Sequence, residues 1–242
     1  GGSKIGLVEL PLALLNPGDR LLLPDPGYPD YLSGVVLAQI EKELLPLLPE
    51  NGYLPDYETV DKEKLDQAKL LFLNYPNNPT GAQATSEFFD QTVSFAKEHE
   101  IAVVHDFAYG ALGTTEETPV SFLQSPGAKE VGVELYTLSK TYNMAGWRIA
   151  FAAGNAEIIE AINIIQDHLF VGLFPALQEA GAYALKNNEK VDELVALYNR
   201  RRQAFVEAAA QIGWQAYPST GAFYAWMPVP KGYTSRSFAE FL

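Results

Sequence analysis

The chain has 242 residues, 17 of them basic and 30 acidic, and its formal charge of −13 argues against a protein whose task is to hold nucleic acid or an anionic membrane. Hydrophobic residues at 48% and charged residues at 19% describe a folded globular chain, sized for one large domain or one and a half. The lack of cysteine excludes disulfides, zinc ribbons and thiol catalysis. No apolar run approaches the ~18 residues of a membrane span, and no stretch reads as a signal peptide, so the expected location is the cytoplasm.

In chain order, the pattern predicts a helix over Ile5–Leu15, a buried strand over Arg20–Leu23 and a helix over Tyr31–Ala38. Strands follow at Lys69–Asn74 and Ile101–His105 around a helix at Thr85–His99, then at Val133–Leu138 and Ile149–Ala153. Apolar strands without polar alternation belong to a sheet covered on both faces, and strand–helix alternation makes that sheet mostly parallel. After Gly154 the predicted elements are helices over Glu157–Asp167, Phe174–Asn187 and Asn188–Ile212, then strands over Trp214–Tyr217 and Ala222–Met227 that open a new sheet. The expected organisation is a large α/β domain over 1–187, a long connecting helix over 188–212 and the beginning of a small α+β domain over 213–242. Arg200-Arg201-Arg202, in the long helix, reads as a solvated face.

Five strings are hard to explain by packing. Gly1-Gly2-Ser3-Lys4 precedes a helix, so its N–H groups and the helix dipole suit a phosphate, although an N-cap serine after a flexible end would look the same. Asp25-Pro26-Gly27-Tyr28-Pro29-Asp30-Tyr31 ends a strand, where an α/β sheet binds ligands; Tyr28 could stack on a planar ring or plug a turn. In Asn74-Tyr75-Pro76-Asn77-Asn78-Pro79-Thr80-Gly81, Pro79 biases Asn78 toward extended backbone and presents its amide. Asp106 closes the apolar run Ile101–His105, where a carboxylate is costly unless paired; capping the following turn is the alternative role. His105 has no second histidine at metal-ligand spacing and reads as packed or supporting. Finally, Thr137-Leu138-Ser139-Lys140 and Arg148 put two hydroxyls, an amine and a guanidinium around the ends of two strands. Partial desolvation would make Lys140 nucleophilic, and hydroxyls with a guanidinium suit a phosphate.

These demands converge on one ligand: a phosphate, a ring to stack, a ring cation for Asp106, a ring oxygen for Asn78 and Tyr109, and a carbonyl for Lys140. Pyridoxal 5′-phosphate has all of them. The chain resembles the class I/II pyridoxal-phosphate-dependent aminotransferases of the aspartate aminotransferase fold (fold type I). The resemblance rests on Asn78-Pro79-Thr80-Gly81, on Asp106-x-x-Tyr109, on Ser139-Lys140, and on Arg148 eight residues after the lysine. Separations of 28 residues from Asn78 to Asp106 and 34 from Asp106 to Lys140 also fit. The strings Asn74–Gly81 and Leu138–Trp147 resemble a subgroup with LL-diaminopimelate, alanine and methionine-type aminotransferases.

The resemblance implies a three-layer α/β/α large domain that binds the cofactor, and a ping-pong exchange of an amino group between an amino acid and a 2-oxo acid. It implies that Lys140 forms the Schiff base and shuttles the substrate proton, that Asp106 keeps the ring nitrogen protonated, and that Tyr109 and Asn78 hold the phenolic oxygen. Tyr28 takes the place of the ring-stacking aromatic; Ser3, Lys4, Thr137, Ser139 and Arg148 hold the phosphate. Thr137 departs from the more usual serine. A homodimer with a shared site is also implied, with no metal, nucleic acid or membrane partner. An N-terminal arm and the arginine for the substrate carboxylate are expected before Gly1 and after Leu242. A β-lyase of the same fold and an inert piece of a longer aminotransferase are the alternatives.

Overall fold

A computed structural model describes residues 1–169 and 171–242. Six strands form one sheet: β1 (Arg20–Asp25), β2 (Glu41–Pro46), β3 (Ala68–Leu73), β4 (Ala102–Asp106), β5 (Gly132–Thr137) and β6 (Ala150–Gly154). Their order is β2-β1-β3-β4-β5-β6, and every pair is parallel except β5–β6. The five expected strands are all present within one or two residues at either end. The sheet gains β2, which the sequence hid because an edge strand reading Glu-Lys-Glu-Leu-Leu-Pro lacks an apolar run.

Side-chain alternation divides the core in two. Leu70 and Phe72 of β3, with Val104 of β4, pack against Leu7 and Leu10 of helix α1 (Ser3–Leu14), Tyr31 of α2 (Tyr31–Ala38) and Ile158. Leu71 and Leu73, with Val103, face the other way, onto Phe88, Phe89 and Val93, which share one face of the helix that joins β3 to β4. Between β2 and β3 runs the short helix α3 (Lys62–Gln67); the β3–β4 helix is α4 (Ser86–Glu98), capped by Thr85, whose side chain accepts the Phe88 N–H. The result is the expected three-layer α/β/α arrangement with a mostly parallel sheet. The short helices α5 (Ala128–Val131) and α6 (Leu138–Thr141) flank β5, and α6 carries the chain directly out of that strand.

Three helices follow the sheet: α7 (Ala156–Leu169), α8 (Pro175–Lys186) and α9 (Val191–Gln211). The two strands expected beyond α9 do not form. Trp214–Tyr217 and Ala222–Met227 run alongside each other, yet only Tyr217 N–H to Trp226 O (2.8 Å) links their backbones. A ladder needs a succession of such bonds, and here the backbone donors of Thr220, Gly221 and Ala222 go instead to Gly81 and Leu112. A last helix, α10 (Ser235–Phe241), begins with a capping box at Thr234.

Candidate active site

The C-terminal ends of parallel strands collect the side chains that leave them, and the five singled-out strings meet there. Ser3, Lys4, Tyr28, Asn78, Asp106, Tyr109, Thr137, Ser139, Lys140 and Arg148 all line one cavity of about 300 Å³, joined by Leu7, Asn74, Ala108, Ala145 and Tyr224.

The floor is the end of β4. Alternation sends His105 and Asp106 to opposite faces of the sheet. Asp106 is 5% exposed; its Oδ2 accepts the Tyr31 hydroxyl at 3.1 Å and its backbone carbonyl accepts Asn74 Nδ2 at 2.7 Å. Its Oδ1 is buried and has no hydrogen-bond partner among the described residues. Burial pushes the carboxyl up to about 6, against the opposing pull of the Tyr31 hydrogen bond. On the other face, His105 Nδ1 lies 2.9 Å from Glu134 Oε2. Nε2 faces the Tyr75 backbone, 3.2 Å from its N and 3.0 Å from its carbonyl oxygen. Glu134 is held in turn by the Ser121 hydroxyl and the Phe122 N–H. His105 therefore supports the floor from behind, and no cluster of three or more metal-ligating side chains occurs among the described residues.

One end of the cavity is built for an anion. Arg148, in left-handed backbone (φ 55°), donates through Nη1 to the Ala145 carbonyl (2.8 Å) and, at 3.4 Å, to Ser139 Oγ, and through Nη2 to the Gly1 carbonyl (3.1 Å). The Gly2 N–H returns to the Arg148 carbonyl at 2.9 Å. Gly2 has φ 76°, and a Cβ there would come within 2.5 Å of Arg148 Nη2, so this close approach requires glycine. The Thr137 hydroxyl is 2.9 Å from Ser139 Oγ and accepts the Ser139 N–H at 3.2 Å. The Lys4 side chain points elsewhere: Nζ pairs with Asp30 Oδ2 at 2.5 Å and stands 5.6 Å from the centre of the Tyr28 ring. Lys4 thus contributes helix backbone to the anion end, while its ammonium fixes Tyr28.

At the other end, Lys140 Nζ lies 5.4 Å from the Phe223 ring centre and 6.0 Å from that of Tyr109. The Tyr109 hydroxyl is 2.6 Å from the Tyr224 hydroxyl. Asn74 Oδ1 accepts the Asn78 N–H at 2.7 Å, and Asn77 Oδ1 accepts both the N–H and the hydroxyl of Thr80, which makes the Asn78 loop a closed hydrogen-bonded unit.

Sequence reasoning passed over Tyr31, Asn74 and Tyr224. Asn74 lies inside a highlighted string, and its signal was an amide at a strand end. Tyr31 looked like the first residue of a helix. Tyr224 lies 115 residues from Tyr109 and carried no local signal.

The family model for aminotransferase class I and II matches residues 1–240. The chain belongs to this aminotransferase family. It is 59% identical over its whole length to the L-glutamine–4-(methylsulfanyl)-2-oxobutanoate aminotransferase of Bacillus subtilis (strain 168), spanning 61% of that protein. To the LL-diaminopimelate aminotransferase of Halothermothrix orenii it is 43% identical, over 98% of this chain and 61% of that one. Substrate-bound BacF from Bacillus subtilis superposes with a TM-score of 0.96 at 49% identity, over all of this chain and 62% of BacF. The chain thus spans about three fifths of the aminotransferases it matches. No helix among the described residues is long and apolar enough to cross a membrane.

Proposed function

We propose that this chain is the cofactor-binding part of a pyridoxal 5′-phosphate-dependent aminotransferase that exchanges an amino group between an amino acid and a 2-oxo acid. The observation that carries the reading is the unpartnered Oδ1 of buried Asp106, in the same cavity as Lys140 and the Arg148 anion end. A protonated ring nitrogen is the donor that this oxygen lacks, and the donor set of Arg148, Ser139, Thr137 and the N–H groups of Ser3 and Lys4 suits a phosphate. The cofactor therefore fits the residues present. Tyr28 would lie against the ring, and Asn78 with Tyr109 would bind its phenolic oxygen.

When bound, the cofactor's ring supplies an electron sink for the pair left on the substrate α-carbon. The chain does the rest. Lys140 would hold the cofactor covalently through Nζ and, once the substrate's amino group has displaced it, would move the proton at the substrate α-carbon. Asp106, once paired, would keep the ring nitrogen protonated; Tyr31 holds its carboxylate in place, and Asn74 holds its backbone carbonyl. Arg148 and the hydroxyls anchor the phosphate, and Leu7 and Ala108 help to exclude water.

Residues 1–187 would form the cofactor domain, 188–212 the connecting helix and 213–242 the start of a second domain. The working enzyme is proposed as a cytoplasmic homodimer. The names of its relatives suggest glutamine, methionine-related and diaminopimelate substrates for a first panel. Borohydride reduction of the loaded full-length protein should fix the cofactor on the peptide that contains Lys140. A protein that takes up no pyridoxal phosphate, or transfers no amino group from any donor in the panel, would overturn the reading.

A further inference from the structure

We infer that Tyr224 is a positioning residue that turns the proton of Tyr109 toward the phenolic oxygen of the cofactor. The inference rests on the cofactor reading above and deepens it, because it makes the segment after α9 a part of the cofactor's acid–base control.

The two hydroxyls are 2.6 Å apart, and each has one proton. If Tyr109 donated to Tyr224, it would present only lone pairs to the cavity. If Tyr224 donates, the Tyr109 proton is left for an acceptor inside it. The phenolic oxygen of pyridoxal phosphate bears negative charge and outcompetes a neutral tyrosine as acceptor, so the order of donation runs from Tyr224 to Tyr109 to the ring. Each bond in such a chain polarises the next and strengthens it. Burial pushes both phenols up, so both keep their protons through the neutral range.

The placement of Tyr224 is not incidental. The Ala222 N–H donates to the Leu112 carbonyl at 2.7 Å, and the Gly221 N–H to the Gly81 carbonyl at 2.8 Å, in the loop that carries Asn78. Arg202 Nη1 spans the carbonyls of Gly221 (3.3 Å) and Ala222 (3.2 Å). Phe223 packs edge-on to the Tyr109 ring at 5.3 Å, and Tyr224 does so at 5.7 Å. Backbone bonds to two loops of the site thus set where the second hydroxyl stands.

The test is the pH titration of the cofactor's visible absorbance in the loaded full-length protein. Deprotonation of the nitrogen that joins the cofactor to Lys140 leaves an uncompensated negative oxygen, which a donor stabilises. Tyr109→Phe should therefore raise the midpoint by about 1–2 pH units, the strength of one charge-assisted hydrogen bond. Tyr224→Phe should raise it by about 0.2–0.5 units, the share that cooperative strengthening supplies. In the Tyr109→Phe background, Tyr224→Phe should add nothing. An unshifted or lowered midpoint in Tyr224→Phe, or an equal rise in both backgrounds, would overturn the assignment while leaving the cofactor reading intact. A protein with no cofactor absorbance would overturn both. Tyr224→Phe keeps the ring packing, and an unchanged cofactor dissociation constant separates a misdirected proton from a damaged fold.

Discussion

The sheet and the stretch beyond it are built by different means. Leu70, Leu71, Phe72 and Leu73 of β3 have no exposed surface, and both faces of the sheet are covered. Beyond the sheet, the 21-residue α9 buries only Ala209, α8 only Gly181, and α10 nothing. The C-terminal stretch is fastened by polar pins: the Thr220 and Gly221 N–H groups to Gly81, Gln83 Nε2 to the Thr220 carbonyl, and Asn199 Nδ2 to the Gly113 carbonyl. One region takes its stability from burial. The other takes its position from hydrogen bonds that end beside the cavity. The lesson is that damage to the first should be read in unfolding, and damage to the second in the geometry of the site.

The largest effect should leave that contrast untouched, because it removes chemistry alone. Lys140→Ala in the full-length protein should slow the transamination half-reaction by about 10³-fold or more without altering the melting temperature. Single-turnover kinetics and a thermal melt, run side by side, would settle it; undiminished turnover would sink the role of Lys140.

Truncating one large ring in each region tests the contrast directly. Phe89→Ala, at a side chain with 0% exposure, should cost about 3–5 kcal/mol in denaturant unfolding. Phe205→Ala on α9, 47% exposed, should cost within about 0.5 kcal/mol. Equal costs would show that α9 contributes to a common core after all.

Asp106 brings the floor's burial into the pH profile. Its folded carboxyl is raised from 3.8 to about 6, so the native state binds that proton more tightly than the unfolded chain. Stability of the cofactor-free protein should be greatest below pH 4 as far as this group is concerned, and should fall by about 3 kcal/mol as pH rises through 6. Asp106→Asn should remove that slope and weaken cofactor binding. Denaturation midpoints between pH 4 and 7 provide the check, and a slope that survives the substitution would assign it to another group.

A local effect sharpens the pinning. Gly81 has φ 74°, and a Cβ there would meet Ser219 Oγ at 2.0 Å. Gly81→Ala should cost about 1–2 kcal/mol and accelerate hydrogen exchange around residues 219–224 while the sheet amides stay protected. Uniform acceleration would mean that the two regions open together.

Much of the site was legible because its residues stand at strand ends. Asp106, separated by His105 from the four apolar residues Ile101–Val104, and Lys140 after Thr137-Leu138-Ser139 are local anomalies: polar groups where a buried strand stops. The β2 strand was not legible, because as an edge it needs no apolar face; Glu43 there pairs with Lys64 at 2.9 Å. The strands expected at 214–217 and 222–227 have strand-like composition, but the N–H groups of Thr220 and Gly221 between them and of Ala222 at the start of the second bind loops more than a hundred residues away. Local propensity has no means of registering such a partner.

What the chain by itself determined was chemistry and order: a three-layer α/β/α domain, an amine, a carboxylate and a guanidinium at set separations, and membership of an aminotransferase family that this chain matches over three fifths of its relatives' length. Those features lie in short runs, where periodicity and turn residues act over a few positions. Only the tertiary structure decided which second hydroxyl faces Tyr109, which tyrosine holds Asp106, and that one carboxylate oxygen is left without a donor among the described residues. Those are relations across 75 and 115 residues, and they exist only once the sheet and the pinned segment have brought their hydroxyls to within hydrogen-bond distance.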